Sequence, residues 1–325
     1  MSALLANVTR GEVIESQHFG HVAVVDREGK LVLAFGDPQF VTYIRSAAKP
    51  FQAIPLYADA VPEVFGLDDH ELAVIMSSHS GEERHLAAVR SILQKCGRTA
   101  ADLQCGVHVP LGEAVASSLA ARGEKPSVLH NNCSGKHAGI LAASVNRGWP
   151  LESYLDPGHP HQQSTFATLA QWADLQPDRL LVGIDGCSAP NLAMPVFNMA
   201  RMYANLIASQ ETTPHRIVLA FVKHPEMIAG EGRFDTDIMR VTRGRILAKT
   251  GAEGIECLAI DGPEPLGMAV KITDGSARAI APVVVAVLEK LQVLNAEEAE
   301  QLSSYKRSPQ SNHRGLATGW IEPAI

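Results

Sequence analysis

The sequence has no surplus of positive charge: its 325 residues hold 28 Lys and Arg against 35 Asp and Glu, a formal net charge of -7. Affinity for a phosphate backbone depends on lysines and arginines displacing counterions, so nucleic acid is not an expected partner. Long apolar runs are missing as well. The longest runs, such as Ala281 to Leu288, fall far short of the roughly 20 residues that a spanning helix needs, so no membrane partner is expected. The first ten residues lack a basic stretch ahead of an apolar core, and the expected location is therefore the cytoplasm. Cysteine is scarce and odd in number, at Cys96, Cys105, Cys133, Cys187 and Cys257. A chain of this length builds a core without disulfides, so the thiols are expected to be reduced. No Ser/Gly linker, charge block, low-complexity tract or repeat marks a boundary, which leaves residues 1–325 as one expected domain.

What is present is an ordinary globular composition, 46% hydrophobic and 19% charged, with strand signals at both ends. Residues 21–35 form two β-rich runs around a turn at Arg27 to Gly29, the pattern of an antiparallel hairpin. Residues 254–260 and 267–273 flank a loop rich in Gly and Pro and give a second hairpin. Between them the apolar spacing is helical. Leu86, Val89, Leu93 and Cys96 share one face ahead of Gly97, and similar stretches lie near 137–146, 163–174, 195–209 and 214–229, with a last helix at about 278–292. That order implies an α+β fold: an antiparallel sheet built from both chain ends, with a helical lobe inserted. The sheet lobe is expected over about 1–45 and 245–325, and the helical lobe over about 46–244.

Four segments carry chemistry. Ser46-Ala-Ala-Lys49 puts a hydroxyl and an amine one helical turn apart, and a neutral lysine there can take the serine proton. That requires the amine to titrate below its usual value of about 10.4, through burial or a neighbouring cation. Alone, such a tetrapeptide arises by chance as a helix start with a solvated lysine, and Pro50 is comfortable only in a first turn. Lys249-Thr-Gly251 adds weight, because serine β-lactamases combine Ser-x-x-Lys, a second serine motif and Lys-Thr-Gly in that order. Residues 77–81, with Ser78 and His79, can supply the second element. Residues 130–137 crowd His130, Asn132, Cys133, Lys136 and His137 ahead of an apolar helix, and Cys187 lies in a distant glycine-rich loop. Generic ligand chemistry selects Cys133, His137 and Cys187 for zinc, while two unconnected buried thiols are the plain alternative. Cys96, Cys105 and Cys257 sit in apolar patterns and are expected in the core.

Taken together, residues 8–11, 20–26, 45–52, 78–82, 130–139, 183–187, 232–237, 249–254 and 271–275 closely resemble the bacterial L-asparaginase II family of the serine-lysine type, the class 3 asparaginases. They do not resemble the asparaginases with a threonine nucleophile. The resemblance implies a fold similar to serine β-lactamases, a homodimer, and hydrolysis of L-asparagine to L-aspartate and ammonia. It implies two pairs, Ser46 with Lys49 and Ser78 with Lys249, and zinc held by Cys133, Lys136 and Cys187 in place of the generic choice of His137. Arg45, His79, Asn132 and Asp185 are the polar candidates for holding the substrate's α-ammonium and α-carboxylate. A glutaminase or β-lactam hydrolase on the same scaffold is the rival enzyme expectation, and a non-catalytic asparagine or zinc sensor is the rival from another class.

Overall fold

The computed structural model describes residues 1–325, and the chain divides into two compact units, residues 1–42, 194–208 and 238–325, and residues 43–193 and 209–237. No helix is long and apolar enough to cross a membrane.

The first unit is built on an eight-stranded antiparallel sheet. Its path runs Ser308–Ser311, Ala317–Pro323, Ala3–Arg10, Val13–Asp26, Leu266–Ile272, Ile255–Ile260 and Ile246–Gly251, and Leu31–Phe35 pairs with Val13–Asp26 as the expected first hairpin. Both chain ends therefore meet in one sheet, with Val22 opposite Val270 and Ala6 opposite Pro323. The strands Ile255–Ile260 and Leu266–Ile272 are buried at every position, which is why their sequence is chiefly apolar, broken by Glu256 and Lys271, and does not alternate. The helix Val196–Ala208 packs across three of these strands. Its apolar spacing was legible, but its place was not: the order of elements put it in the helical lobe, and it belongs with the sheet. Gly267 permits that packing, because a Cβ there would lie 1.9 Å from the carbonyl oxygen of Ala200. The final hairpin, around Asn312 to Gly315, was not foreseen, since its strands are short and polar and the first of them contains Pro309.

The second unit is helical. Asp69–Ile75, Glu83–Lys95 and Ser134–Arg147 pack on one another, and Pro160–Ala173 and Thr212–Lys223 complete the layer. Asp68 and Glu71 form a reciprocal capping box that fixes the start of Asp69–Ile75, satisfying two orphan backbone donors. Gly135 lets Ser134–Arg147 approach closely, since a Cβ would lie 2.1 Å from the Val74 carbonyl oxygen. The first turn of one helix is thereby fixed against the last turn of another.

Candidate active site

Ser46 and Lys49 lie in a tight connection, a 3-10 turn over Arg45–Ala48 followed directly by the short helix Lys49–Gln52. Pro50 sits in the first turn of that helix, where its missing N–H costs nothing. Arg45 has φ +54°, the left-handed region, at a cost of order 1–2 kcal/mol for a residue with a Cβ. Two partners hold it there. Its backbone N–H donates to Asn191 Oδ1 (3.2 Å), and its guanidinium donates to Asp185 Oδ1 (2.9 Å). Ser46 follows on this bend and is half-buried, which keeps its hydroxyl within reach of solution.

Lys49 is almost fully buried. Its amine donates to the Ser77 carbonyl, to the Asn132 carbonyl (3.1 Å) and to Ser78 Oγ (3.4 Å), and none of its hydrogen bonds goes to Ser46. The expected pairs were Ser46 with Lys49 and Ser78 with Lys249, but the Lys49 amine is turned towards the second serine segment. Ser78 is fixed from the other side, its backbone N–H donating to the Ile228 carbonyl (2.9 Å). Lys249 lies on the strand Ile246–Gly251 of the sheet unit, opposite Cys257, fully buried and donating to the Thr250 carbonyl (2.8 Å).

His79 is fully buried, and both of its ring nitrogens are engaged, Nε2 with Ser134 Oγ (2.9 Å) and Nδ1 with the Gly81 N–H (3.1 Å). Burial, helped by the nearby His85 and Lys49, holds its pKa well below the usual histidine range. It is a neutral brace between the Ser78 segment and the helix Ser134–Arg147. Asn132 is held by His108, whose Nε2 accepts from the Asn132 N–H (3.0 Å). In Asp185, burial opposes ionisation but the Arg45 hydrogen bond and the charge of Lys136 outweigh it, so its pKa is lowered.

The thiol cluster adjoins the same polar interior, because Lys49 and Lys136 both line one narrow cavity with Gln52, His161, Gln162 and Thr165. Cys133, Lys136 and Cys187 come together: Lys136 donates to Cys187 Sγ (3.2 Å), and Cys187 hydrogen-bonds Cys133. The hydrogen bond from Cys187, followed by Lys49 and Lys136, brings Cys133 well below the usual thiol range despite burial. The same hydrogen bond, with burial, raises Cys187. Burial disfavours the Lys136 ammonium, yet the two sulfurs and Asp185 outweigh it and raise its pKa. These directions favour one negative charge shared between the two sulfurs beside the Lys136 ammonium. His137 turns elsewhere, its Nδ1 paired with Tyr154 Oη (2.8 Å). Two soft sulfur donors and one nitrogen, converging and buried, fit a borderline-soft cation of the zinc type once the amine and thiol lose their protons.

Sequence reasoning missed His108, Ser134, Tyr154, His161 and Gln162. Ser134 lies inside the crowded segment 130–137 and His161 beside Gln162, but no spacing separates a buried bracing residue from a solvated one.

A buried lysine against a serine hydroxyl, beside a thiol-lysine cluster, is a centre suited to hydrolytic chemistry on small polar substrates. The profile of the L-asparaginase II family matches residues 6–323, and the chain belongs to that family, a family of amidohydrolases. No curated protein matches it. Among solved structures, one of Mglu aligns over 84% of this chain and 67% of its own, at 16% identity and a TM-score of 0.38. A second Mglu structure aligns over 59% of its own length at 17% identity and a TM-score of 0.37, so this chain spans about three fifths to two thirds of those proteins. A Bacillus glutaminase aligns over 84% of this chain and 91% of its own, at 12% identity and a TM-score of 0.35.

Proposed function

We propose that this protein hydrolyses L-asparagine to L-aspartate and ammonia. The observation that carries the reading is the buried Lys49 amine, held against Ser78 Oγ one turn from the accessible Ser46, in a chain of the L-asparaginase II family. Ser46 is the attacking hydroxyl. Its proton passes to Lys49, which for this step is a neutral amine turned from Ser78 towards Ser46; a bond forms between Ser46 Oγ and the side-chain amide carbon, and nearby backbone N–H groups stabilise the oxyanion. The proton returns to the leaving nitrogen, the C–N bond breaks and ammonia departs. Water then cleaves the aspartyl ester and restores the Ser46 hydroxyl. Ser78 orients Lys49, and Lys249 is the second lysine of the proton transfers.

Arg45, Asp185 and Asn132 are the groups for the substrate's α-carboxylate and α-ammonium, and His79 supports Ser134 rather than the substrate. Cys133, Lys136 and Cys187 would hold zinc, which supplies a positive charge for orienting an anionic or carbonyl oxygen. We place the protein in the cytoplasm as a homodimer. The exposed strand Leu181–Ile184, with Leu181, Val182 and Ile184 all on the surface, offers a sheet edge to a second copy.

Ammonia release by the purified protein from L-asparagine and L-glutamine, with ring opening of a chromogenic β-lactam followed by absorbance in parallel, tests the reading. A kcat/KM highest for asparagine is expected. Preference for glutamine or the β-lactam would move the activity to another substrate, and asparagine binding without ammonia would make the protein a sensor.

A further inference from the structure

A second set of metal-binding side chains lies in the helical unit and takes no part in the chemistry above. His70, His224 and Glu226 each offer one ligand atom, and all three atoms lie within 4.8 Å of one another. The rings of His70 and His224 lie 4.1 Å apart between centroids, and Glu226 Oε1 lies 3.7 Å from His224 Nδ1. Three elements bring them together. His70 is in the first turn of Asp69–Ile75, whose start is fixed by the Asp68 and Glu71 capping box. His224 occupies the joint where Thr212–Lys223 ends, and Pro225 begins the next turn, Pro225–Ile228, which carries Glu226. His70 is exposed, whereas the side chains of His224 and Glu226 are only 17% and 18% exposed, so the set is half-enclosed yet open to an ion from solution.

We propose that His70, His224 and Glu226 form a binding site for a divalent transition-metal ion of the zinc class. Two imidazoles and one carboxylate are the donor set that zinc, nickel and cobalt take in preference to calcium or magnesium, which favour oxygen alone. Bonds of about 2.0–2.1 Å in a tetrahedral site put ligand atoms about 3.3 Å apart, so side-chain rotation closes the remaining gap. Three protein ligands leave a fourth position for water. The neighbouring Lys223 is already paired with Asp69 (2.8 Å), which offsets its charge beside the site.

The position gives the ion a consequence. The helix carrying His70 leads into Ser77 and Ser78, and the turn carrying Glu226 ends at Ile228, whose carbonyl accepts the Ser78 N–H. An ion at this site ties together the two segments that support Ser78, and so acts as a positioning element without touching substrate.

Zinc titration of tag-free, metal-stripped, full-length protein tests this, by calorimetry and by metal analysis after gel filtration. Cys133→Ala removes the thiol cluster from the count, so that failure of that cluster and failure of this site remain separable. The expected result is one equivalent of zinc retained in Cys133→Ala and lost in Cys133→Ala/His70→Ala and Cys133→Ala/His224→Ala. In the otherwise unaltered chain, His70→Ala should weaken this equivalent at least tenfold while asparagine turnover without added metal stays unchanged. His70 is exposed, so its variant tests binding rather than folding, and an unaltered circular dichroism spectrum checks that. Equal zinc binding in Cys133→Ala with and without His70, or calcium binding as tightly as zinc, would overturn the site.

Discussion

The two units of this protein solve the problem of burial in opposite ways. In the sheet unit, the strands Ile255–Ile260 and Leu266–Ile272 are buried end to end and chiefly apolar, and their backbone groups are satisfied by neighbouring strands. The helical unit has Lys49, Ser78, His79, Ser134, Lys136, His137 and His161 in its interior. Buried polar groups cost stability unless each finds a partner, and here they mostly find one another. The sheet unit is a scaffold in which apolar area does the stabilising. Stability in the helical unit is spent on keeping an amine, a thiolate and hydroxyls apart from bulk water. Lys249, Glu256 and Lys271 are the exceptions, charged side chains buried on sheet strands.

That contrast can be broken by variants, and the largest effects should come from the helical unit. Ser46→Ala and Lys49→Met should each lower turnover of asparagine by several orders of magnitude with the fold retained, as steady-state kinetics and circular dichroism would show. Near-native rates in Ser46→Ala would transfer the nucleophile to Ser78. Lys249→Met should also lower the rate, and an unchanged rate would return that residue to the scaffold.

Next comes the metal. Cys133→Ala and Cys187→Ala should each remove one equivalent of zinc, and Lys136→Ala should weaken it far more than His137→Ala, as read by metal analysis. Because Lys136 and Cys187 must both lose protons that the cluster stabilises, this affinity should rise steeply with pH. Full zinc retention in Lys136→Ala would remove the lysine from the ligand set.

In the sheet unit the expected losses are of stability alone. Gly267→Ala drives a methyl group into the backbone of Val196–Ala208 and should cost about 3 kcal/mol in denaturant unfolding. A rate effect larger than the stability effect would contradict a scaffold role.

The polar interior should also make the helical unit the acid-sensitive one. Burial, with His159 and Lys136 adding to it, lowers His161 to about 4. Its folded value lies below the ordinary one of about 6.5, so the unfolded chain gains the proton first. Stability is therefore intact above pH 6.5 and lost as pH falls towards 4, by about 2 kcal/mol at pH 5. His161→Gln should flatten that slope in unfolding curves measured between pH 7 and pH 5. The smallest effect belongs to Asp68→Ala, which removes a helix cap and should cost about 1 kcal/mol with no change in kcat.

The same contrast explains what could be read in advance. Strand pairs such as residues 21–35 and 254–273 announce themselves through local turns, and long helices through their apolar period. The pairing of both chain ends is set by contacts between residues some 300 positions apart, and no local pattern encodes it. At the site, Cys133, Lys136 and Cys187 were expected from family resemblance, whereas generic ligand chemistry chose His137. In the structure His137 Nδ1 pairs with Tyr154 Oη, while Lys136 donates to Cys187 Sγ. The turn of Lys49 towards Ser78 was equally hidden, since it depends on where Ile228 anchors the second serine.

The bend at Arg45 bears on how the sequence can drift over generations. One loop and the start of the strand Pro190–Pro195 after it supply Asp185 and Asn191, which hold Arg45 in its left-handed conformation, and between them lies Cys187. As far as the backbone alone is concerned, position 45 admits without such help only glycine or asparagine, the residues that enter this region readily. Any other replacement needs a matching change at 185 or 191, two residues to one side of Cys187 and four to the other. Descendants of this chain should therefore vary at 45, 185 and 191 as a set, and the thiol loop should be inherited together with the serine bend as a single unit.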